Sequence, residues 1–153
     1  MLISGKGRYA ITAMMNLVMH SNTGPLSLAD ISQSQGISLS YLEQIFARLR
    51  QKNLVCGTRG RHGGYQLARP AQQISIGDIV RAVEDSPPIR PGVTSSHELA
   101  VSHGYAPTQT YWDKLRLQLY EFLDNIDLAQ SVTHEDIIPS SAYINTPQPH
   151  IHN

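Results

Sequence analysis

The sequence predicts a mainly α fold with a small β wing, followed by a long dimerisation helix. Three observations predict it. Two short helical segments meet at a tight glycine turn. A hairpin rich in glycine and arginine follows them. After a stretch rich in Pro, Ser and His, apolar residues then recur at heptad spacing.

The chain has 153 residues. That is enough for one domain, or a small domain with an appended element, and for a core that needs no disulfides. Apolar residues make up 41% of it, the range of globular chains. No run approaches the ~18 apolar residues that a membrane helix requires. The opening "MLISGKGRYA" has no signal-peptide core. Cys56 is the single cysteine, which excludes an internal disulfide and a structural zinc site built from several thiolates. A cytoplasmic location and no membrane partner are expected. No nucleophile–base pair, phosphate loop or H-E-x-x-H pattern points to an enzyme.

The net charge of zero conceals two halves. Residues 1–85 carry nine Lys/Arg against five Asp/Glu, a net of +4, and residues 86–153 carry three against seven, a net of −4. A basic half suggests a module that binds a polyanion.

Helical spacing of Tyr9, Ala13, Leu17 with Met14 and Val18 predicts a first helix over about Lys6 to Ser21, broken by "NTGPL". "SLADISQSQG" opens on Ser27 and Asp30 as a capping box and closes on Gly36, suited to a positive φ. The third helix buries Leu42, Ile45, Phe46 and Leu49, at i, i+3, i+4 and i+7. Ser32 before the turn, with Leu39, Leu42 and Ile45 after it, completes a helix-turn-helix pattern, which an ordinary helical hairpin also satisfies.

Leu54-Val55-Cys56 and Tyr65-Gln66-Leu67 read as strands flanking "GTRGRHGG". Arginine at a hairpin tip favours DNA, because it fits the negative potential of a narrow minor groove. "SIGDIVRAVED" is a fourth helix capped by Ser75 and Asp78. Trp112, Leu115, Leu119, Phe122 and Ile126 follow a 3-4-3-4 spacing, the seam of a two-helix interface, with Thr110 and Asp113 as a capping box. Such a helix pairs with a second copy or packs on its own domain. The homodimer is preferred, since helix-turn-helix readers bind half-sites about one DNA turn apart. Four regions follow: 1–85 a winged helix-turn-helix DNA-binding domain, 86–107 a flexible sensor-like loop, 108–133 the dimerisation helix region, and 134–153 a disordered tail.

"KGRYAITAM", "PLSLADISQSQGISLSYLEQIFARLRQKNLV", "RGRHGGYQLARP" and "ISIGDIVRAVED" together resemble the IscR-like branch of the Rrf-two family of winged-helix bacterial repressors. The resemblance is strong over about 1–85 and moderate over 108–132. It implies a homodimeric transcription factor, with iron–sulfur assembly or stress genes as candidate targets. It places Ser38, Ser40, Tyr41, Glu43 and Gln44 at the major groove, and Arg59 with Gly60 in the minor groove. The chemistry agrees. Glu43 can accept from cytosine N4, Gln44 can pair with adenine or bond a phosphate, and the hydroxyls position phosphates. Ser40 and Glu43 also fit a capping box, and Tyr41 also fits a core aromatic. Lys6, Arg8, Arg48, Arg50 and Arg61 are candidate phosphate contacts.

In cluster-binding members of the family, cysteines between the fourth helix and the dimer helix, with a histidine just inside that helix, hold a [2Fe–2S] centre. Here that segment contains no cysteine, and Ala106 and Gln109 stand at the last cysteine and the histidine. No cofactor is therefore expected. His97, Glu98 and His103 remain weak candidates for another metal. Cys56 is a candidate redox thiol or simply a small apolar side chain. Two readings stand beside the regulator without a cluster. One is a regulator sensing another ligand or partner through 86–107. The other is a protein-interaction module that no longer reads DNA.

Overall fold

The computed structural model describes residues 3–84 and 106–133. Helix α1, Gly5–Met19, starts at Ser4, whose hydroxyl accepts from the Gly7 N–H. A 3-10 turn at Ser21–Thr23 follows, and Gly24 at φ 102 turns the chain. Helix α2, Leu28–Gln35, is capped by Ser27, and Gly36 ends it in the left-handed region (φ 64, ψ 27).

Helix α3, Leu39–Gln51, comes two residues later. Its cap is Ser38, accepting from the Tyr41 N–H, rather than Ser40, which lies inside the first turn. The expected Ser40–Glu43 box is displaced because the helix starts two residues earlier. Leu39, an apolar position of the helix-turn-helix spacing, is 43% exposed, and Ile37 just before the cap is buried in the core. Ser32 crosses the turn between α2 and α3, donating to the Ile37 carbonyl at 2.6 Å. That bond explains a hydroxyl at a crossing where a small residue alone would fit.

Strands β1, Val55–Thr58, and β2, Gly64–Leu67, form an antiparallel hairpin that pairs Val55 with Leu67 and Thr58 with Gly64. Its base is stitched to the body where Leu26 and Tyr65 exchange backbone bonds of 2.9 and 2.8 Å. The approach is close. A Cβ on Gly64 would lie 2.6 Å from the Leu26 carbonyl, so only glycine fits.

After a 3-10 turn at Ala71–Gln73, helix α4, Ile76–Val83, has the full reciprocal box of Ser75 and Asp78. Helix α5, Ala106–Asp124, begins before Thr110, so Thr110 is interior to the helix and not its cap. The first residues of α5 also fall within the expected 86–107 loop. The expected dimerisation region is two helices. After Asp124 the chain turns and pairs beside α4, with Ile76 N–H to the Ile126 carbonyl at 2.9 Å and Leu128 N–H to the Ile74 carbonyl at 2.8 Å. Short helix α6, Leu128–Thr133, then packs against α1. Ile126 of the expected seam thus lies beyond α5 and packs on the chain's own core.

One core joins these parts. Ala10, Ala13 and Met14 of α1, Leu42, Ile45, Phe46 and Leu49 of α3, Ile79 and Val80 of α4, and Leu128 of α6 are fully buried. Each large side chain so buried contributes about 1.5–3 kcal/mol. Among the described residues no helix is long and apolar enough to cross a membrane. The remaining residues, including His97, Glu98, His103 and the tail from 134, lie outside the described residues.

Candidate nucleic-acid interface

The two faces of α3 differ sharply. Leu42, Ile45, Phe46 and Leu49 are wholly buried, while Ser38, Ser40, Glu43 and Gln44 are exposed. Amphipathic spacing forces this division, and it leaves an outer face of small hydroxyls, a carboxylate and an amide. Tyr41 sits at the border, half-buried, its ring edge-on to Tyr9 of α1 with centroids 5.9 Å apart. The helix begins at this same end, so its free N–H groups add a partial positive charge there.

The hairpin tip carries Arg59, Gly60 and Arg61, all exposed. Gly60 adopts φ 120, a conformation that L side chains rarely adopt, and its carbonyl accepts from the Gly63 N–H at 2.9 Å. The turn therefore projects its arginines on a short, glycine-hinged loop. Phe46 of α3 packs on Tyr65 of β2 with ring centroids 4.9 Å apart, so the hairpin and α3 share one piece of core.

The basic residues divide into two groups. Arg8, Arg50, Arg59 and Arg61 are exposed. Arg69 pairs with Asp78 at 3.3 Å and Arg81 pairs with Asp124, and these pairings use their charge within the protein. Arg48, expected at phosphate, is half-buried, and its guanidinium donates to the Val83 carbonyl at 3.1 Å. Cys56 is partly buried on β1, its Sγ 3.8 Å from the Leu67 carbonyl oxygen. Among the described residues no three His, Cys, Asp or Glu side chains gather where a metal ion could be held.

Some residues at this surface were not legible in the sequence. Tyr9 seemed to belong to the buried stripe of α1, yet it is 45% exposed and props Tyr41. Ser4 and Glu84 bond each other across the chain.

The family of iron-dependent transcriptional regulators designated Rrf2 matches residues 3–134. The chain belongs to the Rrf2 family. Curated relatives agree. The helix-turn-helix transcriptional regulator IscR of Sodalis glossinidius is 44% identical over 138 residues, covering 90% of this chain and 82% of that protein. IscR of Yersinia pestis is also 44% identical over 138 residues, with 90% and 83% covered. Among solved structures, IscR of T. potens superposes with a TM-score of 0.68 at 35% identity, over 95% of this chain and 93% of that one. CymR, the global cysteine regulator of B. subtilis, gives 0.68 at 35% identity, over 88% and 98%. This Rrf2 protein is a helix-turn-helix transcriptional regulator of the IscR type, with the winged-helix fold of those structures. Its relatives are regulators, a non-enzymatic role.

Proposed function

We propose that this Rrf2 protein binds a two-fold operator as a homodimer, reads it with α3 and the hairpin tip, and does so without a [2Fe–2S] cluster. Ser38, Ser40, Tyr41, Glu43 and Gln44 meet the major groove, and Arg59 with Gly60 enters the minor groove. Arg8, Arg50 and Arg61 lie at phosphates. The observation that carries this reading is the exposed polar face of α3 set against a fully buried opposite face. Hydroxyl, carboxylate and amide are the groups that bond base edges and phosphates.

The dimer is supported by α5. Tyr111, Trp112 and Phe122 are 64%, 51% and 56% exposed, large apolar side chains that a second copy of the helix would cover.

The donor set does not fit the cluster of the family. Thiolates hold such a centre, and the chain's one thiol, Cys56, lies on the hairpin and not between α4 and α5. No step of DNA reading is therefore routed through a cluster.

A salt titration tests the proposal. Operator affinity should fall linearly on log–log axes. Arg59→Ala should lower the slope by about one and relax sequence preference. Binding that is indifferent to sequence would sink the reading. Sedimentation velocity tests the dimer, and Trp112→Ser should shift it toward monomer.

A further inference from the structure

Three elements, α1, α3 and α4, meet at the carboxyl end of α4. Val83 closes the helix and Glu84 leaves it in extended conformation (φ −73, ψ 141). The carbonyls of a helix's last turn lack partners within the helix. Arg48 of α3 supplies one, donating Nη1 to the Val83 carbonyl at 3.1 Å. One residue on, the Glu84 carboxylate accepts from the Ser4 backbone N–H at 3.0 Å and from the Ser4 hydroxyl at 2.7 Å. Ser4 is the cap of α1. The backbone of α1 passes so near that a Cβ on Gly7 would lie 2.8 Å from the Glu84 carboxylate oxygen.

Both links are charge-assisted, and hydrogen bonds of that kind are about twice as strong as neutral ones. They bridge 35 and 80 residues of sequence and converge on adjacent residues. Arg48 also stands on the same rigid helix whose first turns carry Ser40, Glu43 and Gln44. A shift at the last turn of α3 moves its first turn as well.

We infer that Arg48 and Glu84 are positioning residues for DNA reading. They hold α3 and α1 to the carboxyl end of α4, so the conformation at that junction sets how α3 is presented. The inference rests on the DNA reading proposed above. It gives Arg48 a role exerted through the protein and not through a phosphate.

The test uses the full chain and a duplex that it enriches from a random-sequence pool. Arg48→Ala should weaken binding about fivefold with the salt slope unchanged, the scale of one lost hydrogen bond. Glu84→Ala should weaken binding similarly, although removing an acid from a DNA-binding protein would by charge alone strengthen it. The double variant should be about as weak as either single one, because both loosen one corner. Amide exchange in the first turn of α1 should quicken in Arg48→Ala as the corner loosens.

A slope lowered by about one in Arg48→Ala would make the residue a phosphate contact and overturn the inference. Unchanged affinity in both single variants would overturn it too. If the wild-type chain enriches no sequence, the DNA reading itself fails. The corner is then judged by amide exchange alone, and unaltered exchange in α1 would dismiss it.

Discussion

Arg81 and Asp124 join α4 to the end of α5 through a two-pronged pair, with Nη1 donating to Oδ1 at 2.6 Å and Nη2 to Oδ2 at 2.5 Å. The guanidinium also lies over the Tyr120 ring, 4.6 Å from its centroid. The side chains are 36% and 43% exposed, so solvent screens much of the attraction. Arg81→Ala should cost on the order of 1 kcal/mol, the ring contact included. Urea unfolding at low and high salt checks this. The loss should shrink as salt rises, and a loss insensitive to salt would count against an electrostatic junction.

Tyr120 gives the same junction a pH dependence. Burial holds its phenol above the ordinary value near 10, the Glu84 charge adds to the rise, and Arg81 opposes it. The folded chain therefore keeps this proton more tightly than the unfolded chain does. The resulting stability is fully present below the unfolded value and is lost as pH rises through the raised one. Tyr120→Phe should flatten the fall in urea midpoint above pH ~10 and change little at neutrality. An alkaline limb as steep as wild type would refute the assignment.

Two caps separate stability from DNA reading. Ser75 and Asp78 cap α4 reciprocally at 3.0 and 3.3 Å, and Ser38 caps α3 through the Tyr41 N–H at 3.3 Å. Ser75→Ala and Ser38→Ala should each cost about 1 kcal/mol of stability. Only Ser38→Ala should also weaken DNA binding, because its hydroxyl lies on the exposed start of α3. Equal effects on DNA affinity would contradict the placement of the interface.

The base of the hairpin supplies a steric prediction. At Gly64 an added methyl meets backbone, the Leu26 carbonyl, which cannot swing aside as a side chain would. Gly64→Ala should destabilise the chain by about 1–3 kcal/mol and lower DNA affinity by displacing the tip. Thermal unfolding and the salt titration read the two effects separately.

Much of the fold was legible in the sequence because its signals are local. Ser27 and Ser75 each precede a helix, and Gly36 follows one. The four buried positions of α3 repeat at helical spacing. Each of these acts over a handful of residues, and each appears in the structure where the sequence placed it. The polar face of α3 was legible for the same reason, since one helical period assigns both faces.

Errors arose where local signals competed. Ser38 and Ser40 are both good caps, and the helix took the earlier one because Ile37, just before it, fills the core. Thr110 and Asp113 match a capping pattern, yet α5 starts at Ala106 and runs through them. The heptad count carried on to Ile126 because periodicity does not register a helix end. The backbone pairing of Ile126 and Leu128 with the start of α4 takes that stretch out of the helix.

The sequence by itself determined the winged helix-turn-helix, its caps and turns, and the residue types on its outer face. It also supplied the count of one thiol, Cys56, on which the proposal of a regulator without the family's cluster rests. Only the tertiary structure decided that Arg48 turns to Val83, that Glu84 reaches Ser4, and that Arg81 clasps Asp124. Propensity and periodicity act over a few neighbours, whereas these partners lie 35, 80 and 43 residues apart and meet only once the core has closed.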